Sequence, residues 1–401
     1  MTDLSSYAAD FDPLDTVKAI PYEGYALLRK EKPIVRTESG VWFLSRQADI
    51  IAAAKAVDTF RASFREPGTV IPPEEMLISE IPEPRHGRMR KIVNSAIAAH
   101  RLARVEGVAR ELTESLVDEA FGRDEVDLVK DIVVPIPASV IAHLLGAPPE
   151  DYQKWADWSD EVVQGDYPRL NRNHRGEGLA GAHPEFAAYI DAMIQDRRES
   201  ASPPDDFVTR LLSTEVDGNR LTMIELRTLL AFLLVSGNET TRHLLSNLVH
   251  RITMDPELLP ALRADPSLIP NAVEESLRFD PPVVVLMREC IQDTVIEGAE
   301  IRAGDPIAFG LASANRDEAV YADPNVFRLD RKQPKAHAAF GGGPHVCPGA
   351  SLARLEGRIL LEVLVDRVDS IRLAPGVDRE KVALFWANGI PSLSGRVTPQ
   401  R

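Results

Sequence analysis

A glycine-rich turn around one cysteine, Phe340 to Gly349, carries the clearest chemical signal in this chain. It reads Phe-Gly-Gly-Gly-Pro-His-Val-Cys-Pro-Gly, and Cys347 is one of only two cysteines. Glycine allows positive φ angles and a close approach of the backbone, so several amides can point at one sulfur. A helical pattern from Leu352 to Ile359 follows, and its N-terminus also favours an anion. Because amide dipoles stabilise a thiolate, the turn predicts a metal-ligating sulfur at Cys347.

The spacing of Phe340, Gly343, Cys347 and Gly349 resembles the haem-ligand loop of the cytochrome P-450 superfamily. The match is specific because four positions of restricted type fall in register. The resemblance implies that haem b is the cofactor and that the Cys347 thiolate is its axial ligand. It also implies that Phe340 and Gly349 belong to the cofactor-binding loop.

Three other roles for Cys347 stay open at this point. A zinc site needs further sulfur or imidazole ligands, and Cys290 is isolated without paired spacing. A nucleophile elbow of the amidotransferase kind needs glycine two residues on either side, which Gly349 satisfies and His345 does not. A buried, inert cysteine that packs as a small hydrophobe is the third, although packing hardly explains three consecutive glycines.

A long apolar helix pattern from Leu226 to Ile252 is interrupted by the polar run 236–242. Glycine inside a helix costs about 1 kcal/mol, and a buried glutamate costs more unless it is paired. The run resembles the oxygen-binding groove of the same superfamily. The resemblance implies that Gly237 opens the groove, that Glu239 belongs to a proton relay, and that Thr240 acts with it on bound dioxygen. Thr240 could also bond the carbonyl of Ser236, and the alternative is a solvated polar turn.

Glu275 and Arg278 lie three apart on neighbouring faces of one predicted helix, before Phe279-Asp280-Pro281-Pro282. Such pairs are common on protein surfaces. Together with the residues that follow, this one resembles the superfamily's Glu-x-x-Arg element, which implies a buried structural ion pair without a chemical role.

His86 and Arg90 lie four apart, so on a helix they share a face and could bind one anion. The run around them resembles the superfamily's propionate-binding helix, and Arg288 and His345 match its other propionate contacts. The neighbouring basic residues are expected to form a solvated basic face, or else a docking patch for an acidic redox partner; they are Arg88, Lys91, Arg101 and Arg104.

The substrate pocket is expected to be lined by apolar side chains. Family position suggests the apolar residues Val283, Val284, Val285, Leu286, Phe385 and Trp386 as its lining. A hydrophobic substrate of terpenoid, steroid or fatty acyl type is then expected. Ordinary core packing would explain the same residues equally well.

The elements that hold these residues predict a mainly α protein with a small β-rich part, in one domain over residues 1–401. The resemblance implies that this is the cytochrome P-450 fold. The runs 34–36 and 41–44 around Glu38-Ser39-Gly40 predict a hairpin, and Ser45 is expected to cap the next helix. Short β-like runs return between Val283 and Ala308. Residues 1–33 form an N-terminal segment, and residues 165–183, rich in Gly, Asn, Arg and His, predict a mobile loop over a pocket.

Composition narrows the function classes. In 401 residues, 46 basic and 61 acidic side chains give a net charge of −15, which argues against a nucleic-acid binder. Two unpaired cysteines suit a reducing compartment. The N-terminus has no apolar signal core, and no stretch has the uninterrupted apolar length of a membrane span, so a cytoplasmic protein is expected.

The resemblance implies a bacterial-type haem monooxygenase that inserts one oxygen atom of dioxygen into a C–H bond of a hydrophobic molecule. Since no redox domain is fused, electrons are expected from a ferredoxin and a ferredoxin reductase. A haem-thiolate binding or sensor protein without turnover is the alternative, and the Glu239-Thr240 pair argues against it.

Overall fold

Helices dominate the fold, and strands form a small part, as the sequence predicts. The computed structural model describes residues 11–63, 70–96, 99–164, 183–332 and 334–400. Its α-helices are α1 Tyr22–Glu31, α2 Gln47–Lys55, α3 Arg85–Ala96, α4 Ala99–Ala120, α5 Pro135–Leu145, α6 Tyr152–Gln164, α7 Pro184–Glu199, α8 Phe207–Ser213, α9 Met223–Met254, α10 Leu258–Ala264, α11 Ile269–Phe279, α12 Leu311–Ala314 and α13 Ala350–Arg367.

The strands are short and lie mostly in two sheets. They are β1 Ile34–Arg36, β2 Trp42–Leu44, β3 Phe60–Ala62, β4 Val126–Asp127, β5 Glu215–Val216, β6 Asn219–Arg220, β7 Val285–Cys290, β8 Thr294–Ile296, β9 Ala299–Ile301, β10 Pro306–Gly310, β11 Val368–Leu373 and β12 Ser394–Pro399. The larger sheet has the order β1-β2-β10-β7-β3, and a three-stranded sheet has the order β11-β12-β4.

The chain divides into two units, each made of separate stretches. The first consists of Met1–Pro67, Pro270–Cys347 and Asp378–Pro391, and the second of Gly68–Ile269, Pro348–Val377 and Ser392–Arg401. The chain passes from the first unit to the second directly after Cys347. That all residues form one domain therefore stays a prediction.

The predicted hairpin is present in the first unit. β1 and β2 pair antiparallel, with Ile34 opposite Leu44, and Gly40 has a φ of 85° in the turn between them. Positive φ is nearly free of cost only for glycine, which explains the residue in the turn. β2 then pairs parallel with β10, which lies beside β7, so the hairpin becomes the edge of the larger sheet.

The expected helix cap at Ser45 is wrong. α2 begins at Gln47, and the Ser45 hydroxyl donates instead to the carbonyl of Pro33 at 2.9 Å. The amide of Gln47 donates to Oδ2 of Asp317 at 2.9 Å. The first turn of α2 is therefore satisfied by a carboxylate 270 residues away in sequence, which local reading could not find.

The long helix α9 is the central element of the second unit and exceeds its predicted range at both ends. It begins with a capping box, in which Thr222 accepts from the amide of Glu225 and the Glu225 side chain accepts from the amide of Thr222. It packs against α5 and α6.

The predicted mobile loop, 165–183, lies outside the described residues apart from His183. One described stretch, Leu128–Leu145, is apolar and long enough to cross a membrane by length and composition alone, but Lys130 and Asp131 interrupt it, so the expectation of no uninterrupted apolar span is not contradicted. Since 72% of that stretch is buried inside the protein, a core helix explains it equally well.

Candidate functional site

The cysteine turn in the first unit depends on its glycines. Gly341 and Gly343 have φ angles of 71° and 63°, in the left-handed region that side chains disfavour. A Cβ at Gly343 would also overlap the carbonyl oxygen of Ala54 in α2. The amide of Cys347 donates to the carbonyl of Phe340 at 2.9 Å and so closes the turn. The glycines therefore allow the turn to lie directly on α2.

The two cysteines have opposite surroundings. Cys347 is exposed, whereas Cys290 is buried in β7, where burial raises the pKa of its thiol. A nucleophile elbow joins a strand to a helix, but a 3-10 helix, Gly343–His345, precedes Cys347. Among the described residues no cluster of three potential metal-ligating His, Cys, Asp or Glu side chains occurs, so nothing supports zinc. The accessible thiol suits a metal that brings its other ligands with it.

Arg288 is a buried cation in need of an anion. Arg288 lies on β7 and is only 8% exposed, and burial lowers the pKa of its guanidinium group to about 10. Nη1 donates to the carbonyl of Met287 at 2.8 Å, and the group lies over the ring of Phe309. No carboxylate pairs with it among the described residues. Since an unpaired buried charge is costly, the surroundings of Arg288 fit a cofactor that carries a carboxylate. His345 lies half-buried in the same unit.

His86 is anchored on α3 in the second unit. It is 2% exposed, and its Nδ1 lies 2.8 Å from Oε1 of Glu83, whose other oxygen accepts from the amide of Gly87 at 3.1 Å. Any bond from His86 to a cofactor must therefore use Nε2. Arg90 is half-buried one turn further along the same face.

The polar step of α9 contains the hydrogen bond expected at Thr240. Its Oγ1 donates to the carbonyl of Ser236 at 2.8 Å, and the Ser236 hydroxyl donates to the carbonyl of Phe232 at 2.7 Å. Both hydroxyls thus bond carbonyls four residues back, a contact that often bends a helix, although α9 remains helical from Met223 to Met254.

Glu239 is 3% exposed and is not alone. Arg242 donates to its Oε2, and Nε2 of His243 lies 3.1 Å from its Oε1. Burial raises the pKa of Glu239, but His243 and then Arg242 outweigh burial, so the pKa lies below its usual range. Arg242 also donates to Asp160 on α6 at 2.9 Å. Neither partner was predicted from the sequence, although both lie at helical spacing from Glu239.

Gly237 has a packing reason that the sequence analysis did not give. A Cβ there would lie 3.0 Å from Cδ1 of Ile141 on α5, tighter than ordinary contact. Glycine therefore permits the close approach of α5 to α9. Its predicted role in opening a groove stays a prediction.

Glu275 and Arg278 are both completely buried and form a two-pronged ion pair in the first unit. Nε and Nη2 of Arg278 donate to the two carboxylate oxygens at 2.8 and 2.7 Å. Arg331 donates to both oxygens as well, at 2.9 and 3.1 Å. The structure thus brings the predicted pair together and adds a third member that the sequence analysis did not name.

The proposed pocket lining is partly wrong. Val284 and Val285 are 0% and 2% exposed and lie in a core cluster with Tyr25 and Phe43. Side chains that line an open pocket would be accessible, so these two are core residues. Val283, Leu286 and Trp386 are half-buried, and Phe385 is exposed.

Two further buried carboxylates escaped the sequence analysis. Glu356 on α13 is 1% exposed, and neither oxygen has a hydrogen-bond partner in the described part of the chain. Burial raises its pKa well above the usual range. Glu274 on α11 lies against His337. Neither has a sequence signature, because only the fold determines what surrounds a helix position.

Comparison with known proteins gives one consistent family. The family model described as Cytochrome P450 matches residues 70–382. The chain is 34% identical to a steroid C26-monooxygenase of Mycolicibacterium smegmatis, covering 88% of this chain and 86% of the relative. It is 34% identical to an erythromycin C-12 hydroxylase of Saccharopolyspora erythraea, covering 89% of each. A crystal structure of CYP109E1 from Bacillus megaterium with corticosterone matches with a TM-score of 0.81 and 30% identity, over 94% of this chain and 98% of that one.

Proposed function

The chain belongs to the cytochrome P450 family of monooxygenases, whose cofactor is haem b with a cysteine thiolate as axial ligand, and we propose from this that it hydroxylates a hydrophobic small molecule. Bound haem supplies the activation of dioxygen, and one oxygen atom enters a C–H bond of the substrate while the other leaves as water. The protein supplies the thiolate, the protons and the surroundings of the substrate.

Cys347 is the proposed ligand. The observation that carries this is the turn itself, where two left-handed glycines and the Cys347–Phe340 hydrogen bond leave the thiol exposed. Cys290 is buried and the pKa of its thiol is raised, so its sulfur is neither accessible to a cofactor nor easily ionised to a thiolate.

Four side chains are proposed to bind the haem propionates. Arg288 supports this most, because it is buried without a carboxylate partner among the described residues. His86 would use Nε2, since Glu83 holds Nδ1. Arg90 and His345 complete the set by their match to the family motifs.

Thr240 and Glu239 are proposed to deliver protons to dioxygen. The Thr240 hydroxyl donates its single hydrogen to the Ser236 carbonyl. The lone pairs of Oγ1 can therefore still accept a hydrogen bond from a proton donor. Glu239 is ionised by its two basic neighbours and can take up a proton. The Arg242–Asp160 contact links it to a half-exposed carboxylate on α6.

The substrate is proposed to be of steroid, terpenoid or fatty acyl type. Two observations on relatives support the first: one is a steroid C26-monooxygenase, and another was crystallised with corticosterone. Electrons are proposed to come from a ferredoxin and its reductase, and the proposed location is the cytoplasm.

The spectrum of the reduced, CO-bound protein tests the haem assignment. We expect a thiolate-type Soret band in the wild type, and its loss in Cys347→Ser. Cys290→Ser is the matched control and should keep the band. A thiolate band that survives Cys347→Ser and disappears in Cys290→Ser would identify Cys290 on β7 as the ligand. That result would overturn the assignment of Cys347.

Coupling of electron use to product tests the proton path. We expect Thr240→Ala to bind haem normally and to divert reducing equivalents to hydrogen peroxide, because the alcohol is lost. Thr241→Ala, at the buried neighbour, is the control and should stay coupled. The same product yield per NAD(P)H in wild type and Thr240→Ala would remove Thr240 from the mechanism.

A further inference from the structure

Two adjacent glutamates of α11 have different partners. Glu275 binds Arg278 and Arg331, whereas Oε2 of Glu274 lies 2.9 Å from Nε2 of His337. Glu274 is 3% exposed and His337 is 8% exposed. His337 lies three residues before Phe340, at the start of the cysteine turn. We call Glu274 and His337 the loop-anchor pair.

The hydrogen bonds of His337 determine its tautomer. The amide of Ala339 donates to Nδ1 at 3.3 Å, so Nδ1 has no proton. The proton of the neutral ring is then on Nε2, which donates to Glu274. Glu274 then accepts this bond through Oε2, and a hydrogen bond donated to a carboxyl group favours its ionised form. The loop-anchor pair accordingly holds a negative charge inside the first unit, close to the start of the turn.

A short series of contacts connects the loop-anchor pair with the cysteine. The His337 ring lies against the ring of Phe340, with centroids 5.8 Å apart. The carbonyl of Phe340 accepts from the amide of Cys347 at 2.9 Å. Ala338, next to His337, receives a hydrogen bond from Gly341 at 2.8 Å through its carbonyl. The carbonyls that accept these two hydrogen bonds thus lie within three residues of His337.

We propose that the loop-anchor pair positions the turn of Cys347 and favours the oxidised state of the metal bound there, which rests on the proposed role of Cys347 as the haem ligand. The positioning is mechanical, because His337 holds the Ala339 amide and the Phe340 ring in place. The electrostatic effect comes from Glu274, since a fixed negative charge opposes the addition of an electron. Glu274 and His337 are positioning residues, and neither takes part in the reaction.

Two substitutions separate the charge from the hydrogen bonds. Glu274→Gln keeps an oxygen that can accept from Nε2 and removes the charge, so we expect a higher haem reduction potential with an intact thiolate band. His337→Phe keeps a ring against Phe340 and loses both hydrogen bonds. We expect the fraction of the CO complex that lacks the thiolate band to rise about tenfold. A buried group left without its hydrogen bond costs enough free energy to shift an equilibrium by about this factor.

Asn271→Ala is the matched control on the same helix. Asn271 donates to the carbonyl of Leu329 at 3.1 Å, so its loss removes a comparable hydrogen bond that does not reach the turn. We expect a lower melting temperature with the reduction potential and CO spectrum of the wild type. If Glu274→Gln and His337→Phe behave like this control, the pair is merely structural and the proposal is wrong.

The double variant checks that the pair acts as a unit. In Glu274→Gln/His337→Phe we expect the thiolate band to be lost no more than in His337→Phe alone, because Glu274 reaches the turn only through the His337 ring. A greater loss in the double variant than in His337→Phe would mean that Glu274 acts on the turn independently of His337, and would contradict a shared role. If the wild type itself lacks a thiolate band, the proposed ligand fails and not the loop-anchor pair.

Discussion

Glu275 on α11 in the first unit and Glu356 on α13 in the second are both buried inside helices, yet their surroundings are opposite. Glu275 accepts from Arg278, Arg331 and the amide of Arg328. Burial raises its pKa, but these partners outweigh burial and hold the pKa below its usual range. Glu356 has no hydrogen-bond partner in the described part of the chain, and burial alone raises its pKa.

The difference teaches that burial does not determine the charge of a carboxyl group. Partners decide whether the group stays ionised, and ionisation decides how stability responds to pH. Glu275 stabilises the fold above its unfolded pKa and loses that contribution as the pH falls through its folded pKa. Glu356 behaves the other way, because the folded state keeps a proton that the unfolded state releases. Its contribution decreases as the pH rises from about 4.3 toward its folded pKa.

Removal of Arg278 should have the largest effect. We expect Arg278→Ala to lower the free energy of unfolding by about 3–5 kcal/mol, since it leaves a buried carboxylate with fewer partners. Urea unfolding at neutral pH measures this. Arg302→Ala is the control, because Arg302 is exposed in its pairs with Asp293 and Glu300 and should change stability by less than about 1 kcal/mol. Equal losses in both variants would contradict the comparison.

Replacement of Glu356 by leucine should stabilise the protein. A buried polar group without a partner costs about 1–3 kcal/mol, so we expect Glu356→Leu to gain an amount of that order at neutral pH. The gain should grow from pH 5 to pH 8, because above about pH 4.3 the unfolded wild type releases the proton that its folded state keeps. Thermal unfolding over that range measures it.

Glu362→Leu is the matched control for Glu356 on the same helix. Glu362 is paired with Arg110 and Arg358, and although burial raises its pKa, these partners lower it overall. We expect this variant to lose stability. A pH-independent result for Glu356→Leu would mean that Glu356 has a partner that keeps it ionised.

Glu239 is a third buried carboxylate, and removal of one of its two basic partners tests how far each partner lowers its pKa. We expect Arg242→Gln to raise the pKa of Glu239, because only His243 then opposes the effect of burial. The loss of stability should be about 1.5–3 kcal/mol, the range for a hydrogen bond to a charged group. Infrared spectra of the carboxyl band against pH measure the pKa. Asp160→Asn removes only the outer partner of Arg242 and should shift this pKa less.

The smallest effect on stability is expected at Pro348. Proline has no N–H, so Pro348→Leu adds an amide next to the ligand that can donate to the sulfur. The Cys347 amide already donates to Phe340, which makes the following amide more important. We expect a higher haem reduction potential, with stability changed by less than about 1 kcal/mol. An unchanged potential would leave Pro348 with a structural role only, rigidifying the turn before α13.

Local patterns predicted those parts of the molecule whose partners lie nearby in sequence. The hairpin at Gly40, the bond from Thr240 to Ser236 and the ion pair of Glu275 with Arg278 all join residues within ten positions. The apolar period that follows Cys347 likewise predicted α13. Backbone preference and helical spacing are enough to determine such contacts.

Contacts between distant segments could not be found in this way. Ser45 does not cap α2, because Asp317 binds the Gln47 amide instead. Val284 and Val285 looked like pocket residues and pack in the core, since an apolar run reads the same in both places.

The sequence by itself determined which residues could ligate a metal, move a proton or form a turn, because residue type and spacing limit that chemistry. The tertiary structure alone decided which buried charges have partners. Arg288 is left without a carboxylate among the described residues, Glu356 without a hydrogen bond there, and Glu274 is joined to His337, 63 positions away. The physical reason is that the energy of a buried charge depends on neighbours within a few ångströms, and only folding brings those neighbours there.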